Sequence, residues 1–287
     1  MKRIAIFAHY DLKNKIEDYV VYSIKELKKV VDKIIFVSDS DVELAELSKI
    51  EKYIDNSIIG HHGEYDFGSY KKGYFYLLNN HLLDSCEELI FTNDSCYAPL
   101  YSYNEMFDKM SPQNVDFWGA VANSNKCTKY IDHIQSYFVV FKPQVFLSDV
   151  FKTFLLNVKK EESKDEIVFK YECGLTKILS ENGYKWDVYS SLSKQYSDSY
   201  LYLFRQLIKQ DRVPFLKRSI ILLRAKLPFY SVRQLINKNT NYDYQLIKND
   251  YEKNRCKMNC TLFFILLYKI FIRFPKIRIL YLLKKRG

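Results

Sequence analysis

The sequence predicts an α/β fold in which helices flank a mainly parallel sheet. Short apolar runs alternate with amphipathic stretches over roughly the first 190 of the 287 residues, and this alternation is typical of parallel sheets. Hydrophobic residues make up 48% of the chain and aromatic residues 16%, with only 8 Gly and 6 Pro, which excludes a disordered protein. A single core seldom grows past roughly 250 residues, so we expect one large domain with an extension.

The predicted elements alternate between strand and helix from the amino terminus. The first strand is RIAIFA (3–8), and the following helix repeats apolar residues at helical spacing, namely Ile16, Val20, Ile24, Leu27 and Val31. Further strands are predicted at 32–39, 56–60, 88–94, 115–122, 134–141 and 184–189, and further helices at 41–53, 68–80, 103–110, 143–158 and 165–182. Ligands of open sheets bind at the carboxyl ends of the strands, which directs attention to residues 9–11, 38–41 and 93–95.

Positive charge is concentrated in the last third of the chain. Residues 1–195 carry 24 Lys and Arg against 29 Asp and Glu, and residues 196–287 carry 20 against 5, so the net charge of +10 divides into −5 and +15. We therefore predict a core domain at 1–195 and a basic, amphipathic helical extension at 196–287. Such an extension favours an anionic surface as its partner.

Two apolar and basic stretches in the extension predict association with a membrane surface. LFFILLYKIFIRF (262–274) is shorter than the roughly 20 apolar residues that cross a bilayer, and Lys269 and Arg273 interrupt it. Together with KIRILYLLKKRG after it, this stretch is typical of interfacial helices. A nucleic-acid-binding protein is the alternative, but the apolar residues here are mainly Leu, Ile and Phe in helical blocks. We predict no nucleic-acid partner.

The cysteines indicate a reducing compartment. All six are scattered without a CxxC pair, and no cleavable signal segment precedes the first strand, so we expect a cytoplasmic protein. Cys256 and Cys260 are four residues apart, but zinc takes about four ligands and no His lies near them in sequence. A zinc site is therefore not predicted.

A first candidate site is TNDS (92–95), in which polar residues directly follow an apolar strand. A carboxylate at this position can hold Mg²⁺ or Mn²⁺ against a diphosphate, because hard cations take oxygen ligands. Asp94 is therefore the candidate metal ligand. The alternative is that Asn93, Asp94 and Ser95 only cap the helix that follows.

Two further motifs carry candidate chemistry. HHGEYDFGSYKKG (61–73) leads into a helix, and the flexible Gly68, the helix-start amides and Lys71 together suit a phosphate, although Lys71 alone is equally consistent with a solvated lysine. YECGLTKILSENGY (171–184) places Glu172 near the start of a helix. A carboxylate there can take a proton from a hydroxyl group, or it can simply stabilise the helix dipole.

In their order and spacing, GEYDFGSYKKG, ELIFTNDSCYAPL, VDFWGA and HIQSYFVVFK resemble the rhamnan synthesis protein F family of bacterial polysaccharide biosynthesis, over roughly residues 1–190. The resemblance implies a GT-A-like glycosyltransferase core with a mixed, mainly parallel sheet. It also implies a nucleotide-sugar donor, typically dTDP-L-rhamnose, and a lipid-linked acceptor that becomes a cell-wall, capsular or O-antigen glycan. We expect the enzyme to lie on the inner face of the cytoplasmic membrane.

The resemblance also assigns roles to residues. In large inverting GT-A families a metal-binding DXD follows the fourth core strand and a catalytic carboxyl group opens a later helix, positions that Asp94 and Glu172 match. The implied donor contacts are His9, Tyr10, Asp11, Ser38, Asp39, Asp66, Gly68, Lys71, Asn93, Asp94 and Ser95. The implied acceptor side is Trp118, His133, Gln135 and Ser136.

Several alternatives stay open within this assignment. Core packing would equally explain Trp118, and His133 could be a hydrogen-bonded histidine at a strand entrance or an additional metal ligand. TNDS has one carboxylate where DXD has two, so a divalent cation is an open expectation, and His61-His62 stands where the family more often has Arg and Asn. A non-catalytic glycan-binding or scaffold protein of the same pathway is the alternative function.

Overall fold

The structure is a computed structural model that describes residues 2–124, 132–196, 198–222 and 229–254. Its strands are β1 Arg3–His9, β2 Lys33–Ser38, β3 Asn56–Ile59, β4 Glu88–Asn93, β5 Cys96–Tyr97, β6 Phe117–Gly119, β7 Ala122–Asn123, β8 His133–Ile134, β9 Phe138–Phe141, β10 Trp186–Val188 and β11 Leu216–Lys217. Its first helices are α1 Asp18–Leu27, α2 Leu44–Leu47, α3 Tyr65–Asn79, α4 Tyr103–Met110, α5 Pro143–Phe146, α6 Asp149–Leu156, α7 Lys164–Ile167 and α8 Gly174–Glu181. The later helices are α9 Ser199–Tyr202, α10 Phe204–Lys209, α11 Arg218–Leu222, α12 Phe229–Asn239 and α13 Tyr244–Asn254.

The main sheet has seven strands in the order β10-β6-β9-β4-β1-β2-β3. Neighbouring strands run parallel except at β9, which is antiparallel to both β4 and β6. Two short antiparallel ladders, β5 with β11 and β7 with β8, lie outside this sheet. The structure thus confirms the predicted fold class, a mixed, mainly parallel sheet flanked by helices.

Apolar clusters cover both faces of the sheet. On one face, α1 and α4 pack against the strands through buried side chains such as Ile24 and Met106. On the other face, α3 and α6 do so through Tyr74 and Phe151. The central strands are buried on both sides and therefore read as continuous apolar runs. Each fully buried large apolar side chain contributes about 1.5–3 kcal/mol, so these two layers hold the sheet rigid beneath its edges.

Two predicted strands are shorter than expected. The runs 115–122 and 134–141 each divide, and their inner pieces β6 and β9 join the main sheet, whereas β7 and β8 pair with each other. The first run leaves the sheet after Gly119, where Ile134 packs so closely that a Cβ would overlap its side chain. The apolar pattern alone could not reveal this break.

Two predicted helices are also wrong in extent. The helix expected at 41–53 is only the four-residue α2, followed by a 3₁₀ turn. Within α2, the Glu46 carboxylate forms ion pairs with Lys15 and Lys49 and accepts a backbone N–H from the loop before α1. The helix expected at 143–158 breaks between α5 and α6. Ser148 caps α6 there by accepting the N–H of Phe151 at 3.3 Å.

The described residues after position 195 pack against the sheet. Leu207, Ile220, Leu235 and Ile247 are buried in the cluster that contains α1, and β11 pairs with β5. The division of the chain at residue 195 stays a prediction, as does the surface role of the extension. The stretch 262–274 and the pair Cys256 and Cys260 lie outside the described residues. Among the described residues, no helix is both long and apolar enough to cross a membrane.

Candidate active site

The carboxyl ends of β1 and β2 place two predicted site residues together. The strands are parallel and in register, so that His9 lies opposite Ser38. Nδ1 of His9 is 2.9 Å from Oγ of Ser38, and both side chains are buried. Burial lowers the pKa of His9 to about 4. The imidazole is therefore neutral near pH 7 and acts as a hydrogen-bonding group rather than as a cation.

Asp94 lies just after β4, next to the loop that follows β1. Its Oδ2 accepts the N–H of Tyr10 at 3.1 Å and is 4.0 Å from Nε2 of His9, and its carbonyl oxygen accepts the hydroxyl of Tyr19 at 3.0 Å. Burial raises the pKa of Asp94 to about 6, although the charge of Arg218 opposes the rise. The structure thus fixes this carboxylate at the edge of the sheet where the sequence placed it.

Two other predicted donor residues hold loops in place. Oδ1 of Asp11 accepts the backbone N–H groups of Lys13 and Lys15 at 2.8 and 3.1 Å, which closes a turn. Oδ1 of Asp39 accepts the N–H of His62 at 2.5 Å and that of Gly63 at 2.9 Å. These carboxylates accept hydrogen bonds from loop amides, so their contribution within the described contacts is to shape the rim of the site.

The start of α3 brings Asp66 to the same edge. Nδ2 of Asn93 donates to Oδ2 of Asp66 at 2.7 Å, and Oδ1 of Asn93 accepts both the N–H and the hydroxyl of Ser95, at 3.0 and 2.6 Å. Gly68 is required nearby, because a Cβ there would overlap His62 and Glu64. Asn93 therefore links β4 to α3 through its side chain.

Lys71, the predicted phosphate contact, is held by other partners. Its ammonium is 2.5 Å from Oε2 of Glu64 and donates to the carbonyl oxygen of Val158 at 2.7 Å. These contacts neutralise its charge locally and turn it toward the loop before α7. Lys71 stabilises the start of α3 in this conformation.

Glu172 lies in a π-helical turn, Val168–Cys173, that joins α7 to α8. Its Oε1 accepts Nε2 of Gln135 at 2.6 Å and is 3.2 Å from Nε2 of His133, and its Oε2 accepts the hydroxyl of Ser136 at 2.7 Å. Single π turns inside helices are frequent at functional sites. The three predicted acceptor-side polar residues thus converge on the predicted catalytic carboxylate.

Electrostatic contacts keep Glu172 ionised. Burial by itself would raise the pKa of Glu172, but the hydrogen bond from His133 and the positive charge of Lys217 outweigh burial and lower it. Burial by itself would lower the pKa of His133, but its contacts with Cys173 and Glu172 raise that pKa to about 10. The pair is therefore a buried imidazolium and carboxylate near neutral pH.

Asp66 connects the two halves of the site. Its pKa rises to about 7, first through burial and then through the negative charges of Asp94 and Glu172, while Lys164 and Lys217 oppose the rise. Hydrogen bonds support this placement. Asn93, next to Asp94 in the chain, donates to Asp66, and Tyr70 of the same helix donates to the carbonyl oxygen of Ser136, whose hydroxyl donates to Glu172.

Sequence reasoning missed two basic residues, Lys217 and Arg218. In the ladder of β11 with β5, Lys217 lies opposite Cys96, and the N–H of Arg218 donates to the carbonyl oxygen of Ser95 at 2.9 Å. Nζ of Lys217 donates to Oε1 of Gln135 at 2.9 Å. The charge split assigned both residues to a surface extension, and a two-residue strand has no periodicity by which to recognise it.

Trp118 is placed differently from the other acceptor-side residues. Its indole is 2% exposed and lies against Phe107, with centroids 5.4 Å apart, and against Phe138 at 6.0 Å. The side chain is part of the core between the sheet and α4. Trp118 is therefore not part of the proposed site.

The fit of a divalent cation can be judged from the oxygen ligands. Asp94 is the single carboxylate of TNDS, and its Oδ2 already accepts the N–H of Tyr10. In the described part of the chain, no group of three or more His, Cys, Asp and Glu side chains is arranged to hold a metal ion. The side chains at this edge thus do not form a metal site by themselves.

The sheet order and this polar edge define an α/β protein with a candidate active site at the carboxyl ends of its strands. A family model described as rhamnan synthesis protein F matches residues 34–278. Because that match covers most of the chain, the protein belongs to the rhamnan synthesis protein F family, and the resemblance inferred from its motifs is confirmed. Membership in this family supports a glycosyltransferase role in polysaccharide synthesis. No curated protein matches the chain in sequence.

Several solved structures are similar to the chain. A 4-diphosphocytidyl-2C-methyl-D-erythritol synthase from Anaerococcus prevotii is 13% identical over 65% of this chain and 88% of its own, with a TM-score of 0.41. A cytidylyltransferase from Leptospira borgpetersenii is 13% identical over 84% and 99%, with a TM-score of 0.40. A mannosyltransferase from S. cerevisiae is 9% identical over 54% and 59%, with a TM-score of 0.34. Similarities at this level assign no residue of the site.

Proposed function

We propose that this protein is a glycosyltransferase that moves a sugar from a nucleotide donor onto a growing cell-surface polysaccharide, with inversion at the anomeric carbon. The observation that carries the proposal is that contacts join the end of β4, which bears Asp94 at the carboxyl edge of the sheet, to the turn that bears Glu172. Lys217 pairs with Cys96 and donates to Gln135, and Gln135 donates to Glu172. Ligands of open α/β sheets bind at this edge. The family of the chain supplies the reaction class.

In the proposed reaction Glu172 is the base. The acceptor hydroxyl attacks the anomeric carbon, the bond from that carbon to the diphosphate oxygen breaks, and the hydroxyl proton passes to Glu172. The hydroxyl becomes strongly acidic as its oxygen bonds to the sugar, so an ionised carboxylate of ordinary or lowered pKa suffices. The hydrogen bonds from Gln135 and Ser136 fix the carboxylate for this attack.

The remaining polar residues divide between donor and acceptor. We assign the nucleotide donor to the ends of β1, β2 and β4 and the start of α3, with contacts from His9, Tyr10, Asp11, Ser38, Asp39, Asp66, Gly68, Asn93, Asp94 and Ser95. The acceptor lies toward His133, Gln135 and Ser136. The donor sugar is L-rhamnose or another deoxysugar carried by a nucleotide such as dTDP, and family membership is the support for this choice.

A donor screen tests this function. Purified protein is heated with dTDP-L-rhamnose, UDP-sugars and GDP-sugars, with and without Mn²⁺, and product formation on a lipid-linked acceptor is followed with the same donors. A ligand that binds only the folded state at 100 times its Kd adds about 2.7 kcal/mol of stability, so we expect one nucleotide class to raise Tm. If glycan alone raises Tm and no donor is consumed, the protein is a non-catalytic glycan-binding protein.

We further propose that the enzyme works at the cytoplasmic face of the inner membrane, where its lipid-linked acceptor lies. The support is the basic and apolar sequence of residues 256–287. Each Lys or Arg near anionic lipid contributes about 1 kcal/mol. Deleting 256–287 should therefore move the protein from vesicles containing phosphatidylglycerol into the soluble fraction. Vesicles of phosphatidylcholine alone serve as the control, and a truncated protein that still floats with anionic vesicles would contradict the assignment.

A further inference from the structure

We propose that Lys217 supplies the positive charge that neutralises the departing nucleotide diphosphate, so that sugar transfer by this chain requires no divalent cation. This inference rests on the proposed function and names the group of the same site that stabilises the leaving diphosphate. It replaces both alternatives that the sequence left for this role, a metal ion at Asp94 and the ammonium of Lys71.

The backbone places Lys217 directly beside the TNDS motif. The antiparallel ladder pairs Lys217 with Cys96, two residues after Asp94, and the N–H of Arg218 donates to the carbonyl oxygen of Ser95. This pairing holds the segment against the end of β4. Lys217 is therefore positioned by main-chain hydrogen bonds, which makes its place in the site independent of a flexible loop.

The electrostatic neighbours of Lys217 are the carboxylates of the site. Its charge lowers the pKa of both Asp66 and Glu172. The pairing with Cys96 and the hydrogen bond to Gln135 place it between the end of β4 and the residues around Glu172. A diphosphate leaving the anomeric carbon would carry its charge into this same region.

The ammonium of Lys217 also has hydrogen-bonding capacity to spare. It carries three N–H donors, and Oε1 of Gln135 is its sole hydrogen-bond acceptor among the described residues. The rings of Tyr200 and Tyr137 face it, with centroids 4.4 and 5.2 Å from Nζ. Aromatic faces stabilise a cation without using its donors, so two N–H groups remain for phosphate oxygens.

Two other nearby cations are committed elsewhere. Arg218 forms a two-point ion pair with Asp250, at 3.0 and 2.8 Å, and Lys71 pairs with Glu64. The edge does not favour a metal either, because no group of three or more His, Cys, Asp and Glu side chains in the described residues is arranged to hold one. Lys164, whose charge also lowers the pKa of Asp66, is exposed at the start of α7, whereas the β5–β11 ladder holds Lys217 at the end of β4.

Gln135 connects this cation to the proposed base. Its Oε1 accepts from Lys217, and its Nε2 donates to Glu172 at 2.6 Å. A single amide thus fixes the ammonium and the carboxylate relative to each other. In the reaction the electron pair of the broken bond goes to the diphosphate oxygen and the hydroxyl proton goes to Glu172, while Lys217 keeps its protons and contributes charge alone.

The test compares Lys217→Met with the wild type in metal-free buffer containing EDTA. The wild type should keep its turnover within about twofold after EDTA, whereas K217M should lose about 10²–10³ in kcat, the usual cost of removing one such stabilising group. Lys217→Arg keeps the charge and should recover part of the loss. Lys209→Met, an exposed lysine of the neighbouring α10, is the matched control and should behave as wild type.

A binding readout separates this role from a purely structural one. Wild-type protein should bind the nucleoside diphosphate of its donor more tightly than the monophosphate, and K217M should lose most of that preference while melting near the wild-type Tm. Loss of wild-type turnover in EDTA with recovery by Mn²⁺, or an unchanged diphosphate preference in K217M, would overturn the inference. Absence of turnover under every condition would instead defeat the proposed function, and the binding comparison would still decide the role of Lys217.

Discussion

Replacing Glu172 with Gln should abolish sugar transfer while leaving donor binding nearly unchanged. Gln has the shape of Glu, so its oxygen can keep accepting from Gln135 and His133, and its amide nitrogen can donate to Ser136, whose hydroxyl also accepts. The variant can therefore keep these hydrogen bonds once His133, which has lost its counter-charge, releases its proton. What the variant loses is the negative oxygen that takes the acceptor proton, which contributes about 10²–10⁴-fold to a rate.

Transfer kinetics and donor binding must be measured on the same preparation. We expect kcat to fall by about 10³ and the Kd of the donor to change by less than about threefold, since the donor edge lies at the ends of β1, β2 and β4. Glu181→Gln is the matched control, because Glu181 is exposed on the adjoining α8 and, among the described residues, pairs only with the exposed Lys177. Turnover of E172Q close to that of E181Q would remove Glu172 from the mechanism.

Local sequence patterns were enough to predict the sheet and most of its functional edge. The runs that became β1, β2 and β4 are continuous and apolar because both faces of these strands are buried, and parallel strands necessarily bring their polar ends together. His9, Ser38 and Asn93 could be found in this way. The motif order then led to Glu172, although its contacts with residues 133–136 depend on the fold.

The remaining features depend on contacts between distant residues. The direction of β9 is not encoded in its apolar run, which would be equally buried as a parallel strand. Lys217 and Arg218 reach the site through a two-residue ladder with β5, more than 110 residues earlier in the chain, and their local sequence resembles any other basic segment. Lys71 is the opposite case, because its local sequence suggested a functional role. Its position at a helix start predicted a phosphate contact, but in the structure its ammonium pairs with Glu64.

The second large effect concerns stability. Arg218→Met should lower the free energy of unfolding by about 3–5 kcal/mol, the usual cost of leaving one partner of a buried ion pair unpaired. The side chain of Asp250 is 1% exposed and that of Arg218 is 19% exposed. Asp250 also accepts the hydroxyl of Tyr97 at 2.6 Å, so the pair joins α11 and α13 to β5. Urea unfolding of the full chain measures the loss.

The size of this stability loss also tests whether the region after residue 195 stabilises the sheet. Lys177→Met breaks an exposed pair, in which the two side chains are 57% and 62% exposed, and should change stability by less than about 0.5 kcal/mol. If R218M lowers the free energy of unfolding no more than K177M does, the later helices do not stabilise the sheet.

The double variant R218M/D250N should be more stable than the sum of the single losses predicts, because removing both charges leaves no buried carboxylate uncompensated. A strictly additive result would mean that the two side chains do not interact in the folded protein, and the anchoring of Lys217 beside Asp94 would then have to come from the β5–β11 ladder alone.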